Sequence, residues 1–247
     1  GDQMDLEGGD RFILSKGHAV PSLYAAQSMI GNLSLKDLAT LREEGSPLQG
    51  HPVADTLPHI HASTGSLGQG ISFGLGMAKA QQMNGMNGRV YVVAGDGELQ
   101  EGQNWEAIMA APRLGVNNLT VIIDNNGFQN DGRTNDIMPL GDLAEKFQSF
   151  GWHVQEVDGH DLEALTDAYE ETRRQDSIPS VIIAKTVKGK GVAHMEGNRK
   201  KHNGAISAGE FRIAMEGLGN SPEAYGITLN DKSSMVSKEE VEKIAVR

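Results

Sequence analysis

Four short apolar stretches rich in β-branched residues recur along the middle of the chain. Helix-like segments lie between them. Such alternation predicts right-handed βαβ units and a doubly wound, mostly parallel α/β sheet with helices on both faces. The strands are predicted at 89–95 (RVYVVAG), 118–124 (NLTVIID), 152–157 (WHVQEV) and 180–187 (SVIIAKTV), and the helices at 70–83, 104–114, 140–150 and 161–175.

Two of the predicted strands end in oxygen-bearing side chains beside glycine. Asp96 stands within Gly-Asp-Gly, and Asn126 closes an Asp-Asn-Asn run that glycine follows. Ligands of a doubly wound sheet bind at the carboxyl ends of its strands. A carboxylate, an amide oxygen and a backbone carbonyl form a sparse set that suits Mg²⁺ when phosphate oxygens and water complete its octahedron. Taken singly, Asp96 is also typical of a helix cap and Asn126 of an Asx turn, but their place on successive strand ends favours a metal-held diphosphate.

The composition narrows the classes of function. The chain has 247 residues, a formal net charge of −11 and no cysteine. The acidic balance argues against nucleic-acid binding, and the lack of cysteine excludes disulfides and thiolate metal sites. No apolar run approaches the roughly 20 residues of a membrane span. We therefore expect a cytoplasmic protein that binds neither nucleic acid nor membrane, in which the basic segment 185–202 either receives phosphates or forms a solvated loop.

The Gly-Asp-Gly sequence, followed further along by Asn-Asn, is the thiamine diphosphate motif, and the chain resembles transketolases in several more segments. These segments occur in the family's order and cover most of residues 11–216. The resemblance implies a single diphosphate-binding domain over 1–247, with its core at 11–216 and a C-terminal tail at 217–247. The matching segments are 11–26 (RFILSKGHAVPSLYAA), 48–52 (LQGHP), 63–78 (STGSLGQGISFGLGMA), 95–107 (GDGELQEGQNWEA), 125–132 (NNGFQNDG) and 157–161 (VDGHD).

By this similarity the cofactor is thiamine diphosphate, held with Mg²⁺ or Ca²⁺. The resemblance implies that the metal is bound by Asp96, Asn126 and the backbone carbonyl of Phe128. It also implies that His18 lies near the diphosphate and that Leu67 packs against the aminopyrimidine ring, although a histidine after glycine is equally typical of a turn. The full set of implied cofactor-binding residues is His18, Gly65, Ser66, Leu67, Gly95, Asp96, Gly97, Glu98 and Asn126.

Four residues are catalytic by the same resemblance. His51, in Gly-His-Pro, matches the histidine that meets the reacting end of the sugar, although its context alone fits a loop. Glu101 and Glu106 match a carboxylate relay across the subunit interface, although two glutamates at a helix start also suit the macrodipole. His202 matches a substrate-binding histidine, but Lys201 stands where the family usually has tryptophan.

The implied reaction transfers a two-carbon ketol unit from a ketose or ketose phosphate to an aldose acceptor. In this family a pyrimidine-binding domain supplies the glutamate that activates the cofactor, and that domain is absent from these residues. The resemblance therefore implies the N-terminal subunit of a split transketolase, paired with a C-terminal pyrimidine-domain subunit in an α2β2 heterotetramer. The family also has a further Gly-His-Pro segment, upstream of the one that contains His51, and that segment is not among these residues either. His61 stands where related chains carry an acidic residue, so the departures fall on the substrate side and leave donor and acceptor open.

Three alternatives stay open at this point. The acceptor is a lipoyl or carrier-protein group in one alternative. In another, the chain is part of a 2-oxoacid dehydrogenase E1 or a deoxyxylulose phosphate synthase, which share the motif, although Ser-Lys-Gly-His and Thr-Gly-Ser-Leu-Gly-Gln-Gly favour transketolase. A non-catalytic diphosphate-binding or regulatory module is the third, and the presence of Asp96, Asn126, Glu101 and Glu106 argues against it.

Overall fold

Five parallel strands form one sheet in the computed structural model, which describes residues 9–202 and 206–225. The spatial order β1-β2-β3-β5-β4 means that the chain reverses its progress across the sheet after β4. The predicted doubly wound parallel sheet is confirmed. The strands are β1 (Arg11–Leu14), β2 (Val90–Gly95), β3 (Leu119–Asn125), β4 (His153–Asp158) and β5 (Ser180–Lys185).

Helices connect these strands, and each of the four predicted helices is found to within a few residues. The sequence pattern misses β1, which has only four residues, and the helix that follows it. That helix lacks an amphipathic pattern. It buries Val20 and Tyr24, but the apolar Met29 at its end is exposed. The helices are α1 (Val20–Met29), α2 (Leu35–Leu38), α3 (Gly70–Met83), α4 (Gly102–Arg113), α5 (Thr134–Ile137), α6 (Leu143–Ser149), α7 (Leu162–Arg174) and α8 (Ala208–Gly217).

Alternate residues of the central strands pack on opposite faces of the sheet. Val121 and Val181 belong to the large core cluster that includes residues of α3, α4 and α6. Ile122 and Ile182 point the other way and pack with Ala168 of α7. Because β3 and β5 are covered on both faces, they read in the sequence as nearly continuous apolar runs.

The chain separates into two compact units. The first contains the described residues up to Asn125 together with Leu140–Lys185, and it holds the whole sheet. The second contains Asn126–Pro139 and the described residues from Thr186 onwards, including α5 and α8. The assignment of 1–247 to a single domain stays a prediction, and residues 226–247 of the predicted tail lie outside the described residues.

No helix in the described ranges combines the length and apolar character needed to cross a membrane. A cytoplasmic location stays a prediction.

Candidate active site

The carboxyl ends of β2 and β3 lie side by side and carry the first predicted ligand. The two strands pair in register as far as Gly95 and Asp124, and the backbone N–H of Asp96 donates to the carbonyl of Asp124 at 3.2 Å. Asp96 is only 4% exposed, and its Oδ1 accepts a hydrogen bond from the Gly97 N–H at 2.9 Å. This bond caps the short 3-10 helix Gly97–Gln100. Asp96 therefore forms the cap that its sequence context allows, at the strand end where a ligand is expected.

Asn126 and Phe128 belong to the second unit. The Oδ1 of Asn126 accepts a hydrogen bond from the Phe128 N–H at 2.9 Å, which is the Asx turn that the sequence allows. An amide oxygen has two lone pairs, so this turn does not exclude a role in metal binding. Within the described residues, no group of three or more histidine, aspartate or glutamate side chains is arranged to hold a metal ion. The metal site of Asp96, Asn126 and Phe128 stays a prediction, and its single carboxylate suits an ion that is also held by phosphate.

The glycine-rich turn at 65–70 packs closely against the segment that follows β1. Gly65 and Gly68 have φ values of 137° and 90°, which side chains other than glycine rarely adopt. A Cβ atom at Gly17 would lie 2.8 Å from the backbone nitrogen of Gly65, so only glycine fits there. Thr64, just before the turn, also links it to the end of β1, because its hydroxyl donates a hydrogen bond to the Leu14 carbonyl at 2.7 Å. The segment bearing His18 and the turn bearing Leu67 are thus held against each other, with both of these side chains exposed.

Two predicted catalytic residues lie against this glycine-rich turn. A Cβ atom at Gly65 would lie 3.0 Å from Cδ2 of His51, and one at Gly68 would lie 2.7 Å from Cβ of Glu101. His51 and Glu101 are both exposed. The structure therefore brings His51, Glu101 and residues 65–68 together within the first unit.

Glu106 lies on α4 and is exposed, one turn further along the chain than Glu101. Glu101 occupies the N-cap position of α4 but makes no side-chain capping bond. Its carboxylate is therefore not used to cap the start of α4. A relay between the two glutamates and a second chain stays a prediction.

A buried polar network that sequence patterns do not reveal joins the same strand ends. Glu98 is 3% exposed and accepts hydrogen bonds from Ser15, Gly68 and Gly95. Lys16 forms an ion pair with Asp124, and it reaches past Gly95, where a Cβ atom would lie 3.9 Å from Cδ of the lysine. The only sequence signal is that Ser15 and Lys16 directly follow an apolar run, as Asp96 does.

In the second unit, Lys201 and Glu210 form a largely buried ion pair next to His202. Their side chains are 21% and 11% exposed. The hydrogen bond from Lys201 holds the pKa of Glu210 below its usual value, with a further contribution from the Ser207 backbone. His202 is half-buried. The lysine that replaces the family's tryptophan thus has a structural partner.

His194 is a further histidine of the second unit that the sequence does not single out. It is 2% exposed, and neither ring nitrogen has a hydrogen-bond partner in the structure. Burial lowers the pKa of His194 from its ordinary value, which favours the neutral ring. We assign it no role.

Several positive charges of the basic segment 185–202 are neutralised by acidic side chains. This favours a structural role for the segment over phosphate reception. The ion pairs are Lys185 with Glu156 at 2.7 Å, Lys190 with Glu196 at 3.9 Å and Lys201 with Glu210.

Replacing Lys201 with methionine is expected to lower the free energy of unfolding at pH 7 by about 1 to 2 kcal/mol, because Glu210 loses a charged hydrogen-bond donor. The folded-state pKa of Glu210 is depressed, so the pair stabilises the protein above the unfolded-state pKa and its contribution is lost as pH falls through the folded pKa. Urea unfolding from about pH 6 to about pH 3 should show a weaker pH dependence in Lys201→Met than in the wild type. Lys200, which is exposed, provides the control. Equal losses of unfolding free energy in Lys200→Met and Lys201→Met would contradict the prediction.

A cavity of about 500 Å³ lies in the first unit beside the start of β1. His61 contributes to its lining, and Nδ1 of this histidine lies 3.2 Å from the donating Phe12 N–H. Burial lowers the pKa of His61, which favours the neutral ring. The candidate site, by contrast, involves residues that follow the carboxyl end of β1. The lining residues of the cavity are Arg11, Asp55, Thr56, Leu57, Pro58, Ile60, His61 and Met77.

A doubly wound sheet with a glycine-rich turn and a Gly-Asp-Gly strand end defines a diphosphate-binding α/β protein, and comparison with known proteins identifies its family. Residues 2–243 match the family model of the transketolase thiamine diphosphate-binding domain. The chain belongs to the transketolase family, and the resemblance seen in the sequence is confirmed.

Similar curated proteins include subunits of two-chain transketolases. The chain is 41% identical over 209 residues to the 6-deoxy-6-sulfo-D-fructose transketolase subunit of Clostridium sp. (strain MSTE9), a match that covers 85% of this chain and 76% of the relative. It is 39% identical to an apulose-4-phosphate transketolase subunit of Phocaeicola vulgatus, over 83% of this chain and 73% of the relative. Relatives of this chain are thus named transketolases, which are transferases of ketol groups, and their designation as subunits implies a partner chain.

Solved structures give the same result for the fold. The transketolase of Pichia stipitis in complex with sedoheptulose 7-phosphate superposes with a TM-score of 0.84 at 30% identity, over 99% of this chain and 36% of that one. The transketolase of Leishmania mexicana gives a TM-score of 0.80 at 29% identity, over 96% of this chain and 36% of that one. This chain therefore spans little more than a third of the single-chain enzymes.

Proposed function

We propose that the protein is the diphosphate-binding subunit of a transketolase that moves a two-carbon ketol unit from a ketose or ketose phosphate to an aldose, using thiamine diphosphate and Mg²⁺ or Ca²⁺. The observation that carries the proposal is the convergence of the glycine-rich turn 65–70 with the ends of β1 and β2 beside the buried Asp96. The family match supports the cofactor, and the names of the relatives support the reaction type.

The diphosphate end of the site would be formed by the Gly-Asp-Gly turn. The carboxylate of Asp96, the amide oxygen of Asn126 and the carbonyl of Phe128 would hold a divalent cation, which in turn would bind the diphosphate oxygens. Gly97, whose N–H donates to Asp96 Oδ1, would lie against the diphosphate at the start of this short helical turn. His18, exposed just after β1, would lie near the same phosphate groups.

The ring end of the cofactor would rest on residues 65–67. The lack of a side chain at Gly65 lets its backbone approach a flat ring, and Leu67, which is 38% exposed, offers an apolar surface. The bound thiamine diphosphate supplies the electron sink for cleaving the carbon–carbon bond beside the ketose carbonyl. His51, packed against Gly65, would hydrogen-bond the sugar hydroxyls and act as an acid or base toward them.

The exposed carboxylates of Glu101 and Glu106 support a shared site with a second chain. Glu101 lies against the glycine-rich turn and Glu106 follows it on α4, and both would be available to a docked pyrimidine-domain subunit, which would supply the glutamate that activates the cofactor. An α2β2 assembly follows from two such sites between paired subunits. The relatives' designation as subunits supports this pairing.

The identity of the sugar is proposed only as a class. Relatives are named for a sulfonated ketose and for a ketose phosphate, both of which carry an anionic group away from the carbonyl. His202 would bind the substrate, while Lys201 beside it is engaged with Glu210. We therefore propose a ketose with an anionic terminus as donor, and an aldose or a carrier-bound group as acceptor.

The proposal predicts that this chain and its pyrimidine-domain partner, with thiamine diphosphate and Mg²⁺, convert 6-deoxy-6-sulfo-D-fructose or apulose 4-phosphate plus an aldose phosphate into new sugars. Each chain alone should be inactive, because each supplies only part of the site. Product formation followed by mass spectrometry is the measurement, with pyruvate as the comparison substrate. Decarboxylation of pyruvate without ketol transfer would assign the protein to the 2-oxoacid enzymes instead. Cofactor binding without turnover of any donor would support a regulatory module.

A further inference from the structure

Glu98, which the family resemblance places among the cofactor-binding residues, is a buried carboxylate that accepts hydrogen bonds from three parts of the chain. It follows the Gly-Asp-Gly turn and is 3% exposed. We propose that Glu98 is a positioning residue that fixes the cofactor-binding surface by joining three separate chain segments. This inference rests on the proposed function, because it concerns the same thiamine diphosphate site.

The carboxylate accepts three hydrogen bonds, one from each segment that builds the surface. Its Oε1 accepts from Ser15 Oγ at 2.5 Å, after β1, and from the Gly68 N–H at 2.9 Å, in the glycine-rich turn. Its Oε2 accepts from the Gly95 N–H at 3.1 Å, at the end of β2. Ser15, Gly68 and Gly95 are far apart in the sequence, so Glu98 ties together segments that the chain itself does not connect closely.

The backbone of Glu98 extends the connection to α4. Its carbonyl accepts a hydrogen bond from Asn104 Nδ2 at 2.6 Å, and Asn104 is fully buried. Asn104 belongs to the first turn of α4, three residues after the predicted relay residue Glu101. The position of Glu98 therefore also sets where α4 begins.

The glycines around Glu98 show how little room the surface has. A Cβ atom at Gly70 would lie 2.2 Å from Ser15 Oγ, and one at Gly68 would lie 2.7 Å from Cβ of Glu101. Because the backbone at these two glycines leaves no room for even a Cβ atom beside Ser15 and Glu101, the glycine-rich turn cannot shift toward β1 or α4. The hydrogen bonds to Glu98 keep it from shifting away.

The chemistry of a carboxylate suits this task better than that of an amide. An ionised carboxylate has only acceptor sites, and all three groups that face Glu98 donate to it. Among the ion pairs of the described residues, none involves Glu98, so its described partners are hydrogen-bond donors. Glu98 is 3% exposed, and both of its oxygens accept hydrogen bonds from the segments that build the surface. Glu98 thus acts on the cofactor through Gly68 and Gly95.

The test is the Glu98→Gln variant of the full chain, reconstituted with its partner subunit. In either orientation of the glutamine amide, its NH₂ group faces the N–H of Gly68 or of Gly95, and two donors then oppose each other. We expect the Kd for thiamine diphosphate, measured by calorimetry with Mg²⁺, to rise by about tenfold, which corresponds to about 1.4 kcal/mol. At saturating cofactor the loss in kcat should be smaller than the loss in cofactor affinity, because the reacting groups are unchanged.

A matched control separates positioning from general stability. Asn118 is also a buried polar residue that joins separate segments, but it lies at the amino end of β3, where it donates to the carbonyls of Ala78 and Gly88. Asn118→Ala should lower Tm without changing the Kd for the cofactor. If Glu98→Gln does not fold, Ser15→Ala removes one of the three donors, and we expect it to raise the same Kd by about threefold.

Two results would overturn the inference. If Glu98→Gln lowers Tm but binds thiamine diphosphate as tightly as the wild type, Glu98 is only structural. If Asn118→Ala weakens cofactor binding as much as Glu98→Gln does, the effect is one of stability and not of position. By contrast, a wild-type complex that does not bind thiamine diphosphate at all would refute the proposed function itself.

Discussion

Replacing Asp96 with asparagine is expected to weaken Mg²⁺-dependent binding of thiamine diphosphate by about 100-fold or more, corresponding to about 2.8 kcal/mol. The proposed site contains one protein carboxylate, so this change removes the only full negative charge among the proposed metal ligands. An asparagine keeps a side-chain oxygen for the Gly97 N–H, which preserves the cap of the 3-10 helix Gly97–Gln100. Loss of binding would therefore reflect the missing charge and not a lost turn.

Calorimetric titration of thiamine diphosphate, with Mg²⁺ and with EDTA, is the measurement. The wild type should lose affinity when the metal is removed, whereas Asp96→Asn should bind weakly under both conditions. Asp167→Ala serves as the control, since Asp167 is an exposed aspartate on α7. Unchanged affinity in Asp96→Asn would refute the assignment of this residue to the metal.

Replacing Gly17 with alanine is the second substitution with a large expected effect. A Cβ atom there would lie 2.8 Å from the backbone nitrogen of Gly65 and 2.9 Å from the carbonyl carbon of Thr64. Because these are backbone atoms, the segment after β1 and the glycine-rich turn must move apart. We expect a loss of about 1 to 3 kcal/mol in the free energy of unfolding. Cofactor affinity should fall as well, since both segments belong to the proposed site.

Gly76→Ala is the matched control for this prediction. Gly76 is exposed within α3, and a Cβ atom there meets nothing within 4 Å. Alanine in a helix is more favourable than glycine by about 0.5 to 1 kcal/mol, so this variant should be as stable as the wild type or more so. Urea unfolding and cofactor titration of both variants test the comparison. A Gly17→Ala protein that unfolds and binds like Gly76→Ala would show that the two segments are not tightly packed.

The sequence is informative about the central strands because these strands are covered on both sides. Residues 119–123 and 181–184 are buried, which leaves continuous apolar runs that the hydrophobic pattern detects. β1 escapes detection, since four residues are too few to establish a period. The helix after β1 escapes for a different reason, because Met29 and Ile30 are exposed where an amphipathic pattern would place polar residues.

The candidate site shows the same division between local and distant information. The sequence motif points to Asp96 and Asn126, and both also adopt the local cap and turn that their residue types favour. The bonds of Glu98 to Ser15 and Gly68 depend instead on which strands become neighbours. The family resemblance places Glu98 among the cofactor-binding residues, but no local sequence pattern distinguishes it from an exposed glutamate in a loop. Its burial follows from the parallel pairing of β1 with β2.

The strand order also determines when the cofactor surface can form during folding. β2 and β3 pair across one short helical crossover, from Val90 with Leu119 onwards, whereas β1 must join Arg11 to Val90 across a much longer loop. Loop closure costs more entropy as the loop lengthens, so β1 is expected to dock after the β2–β3 pair. Pulsed hydrogen exchange during refolding should show later protection of β1 amides than of β3 amides. A nascent chain would then acquire its capacity for thiamine diphosphate only after β1, which is made before β2 and β3, has joined the pair that those later strands form.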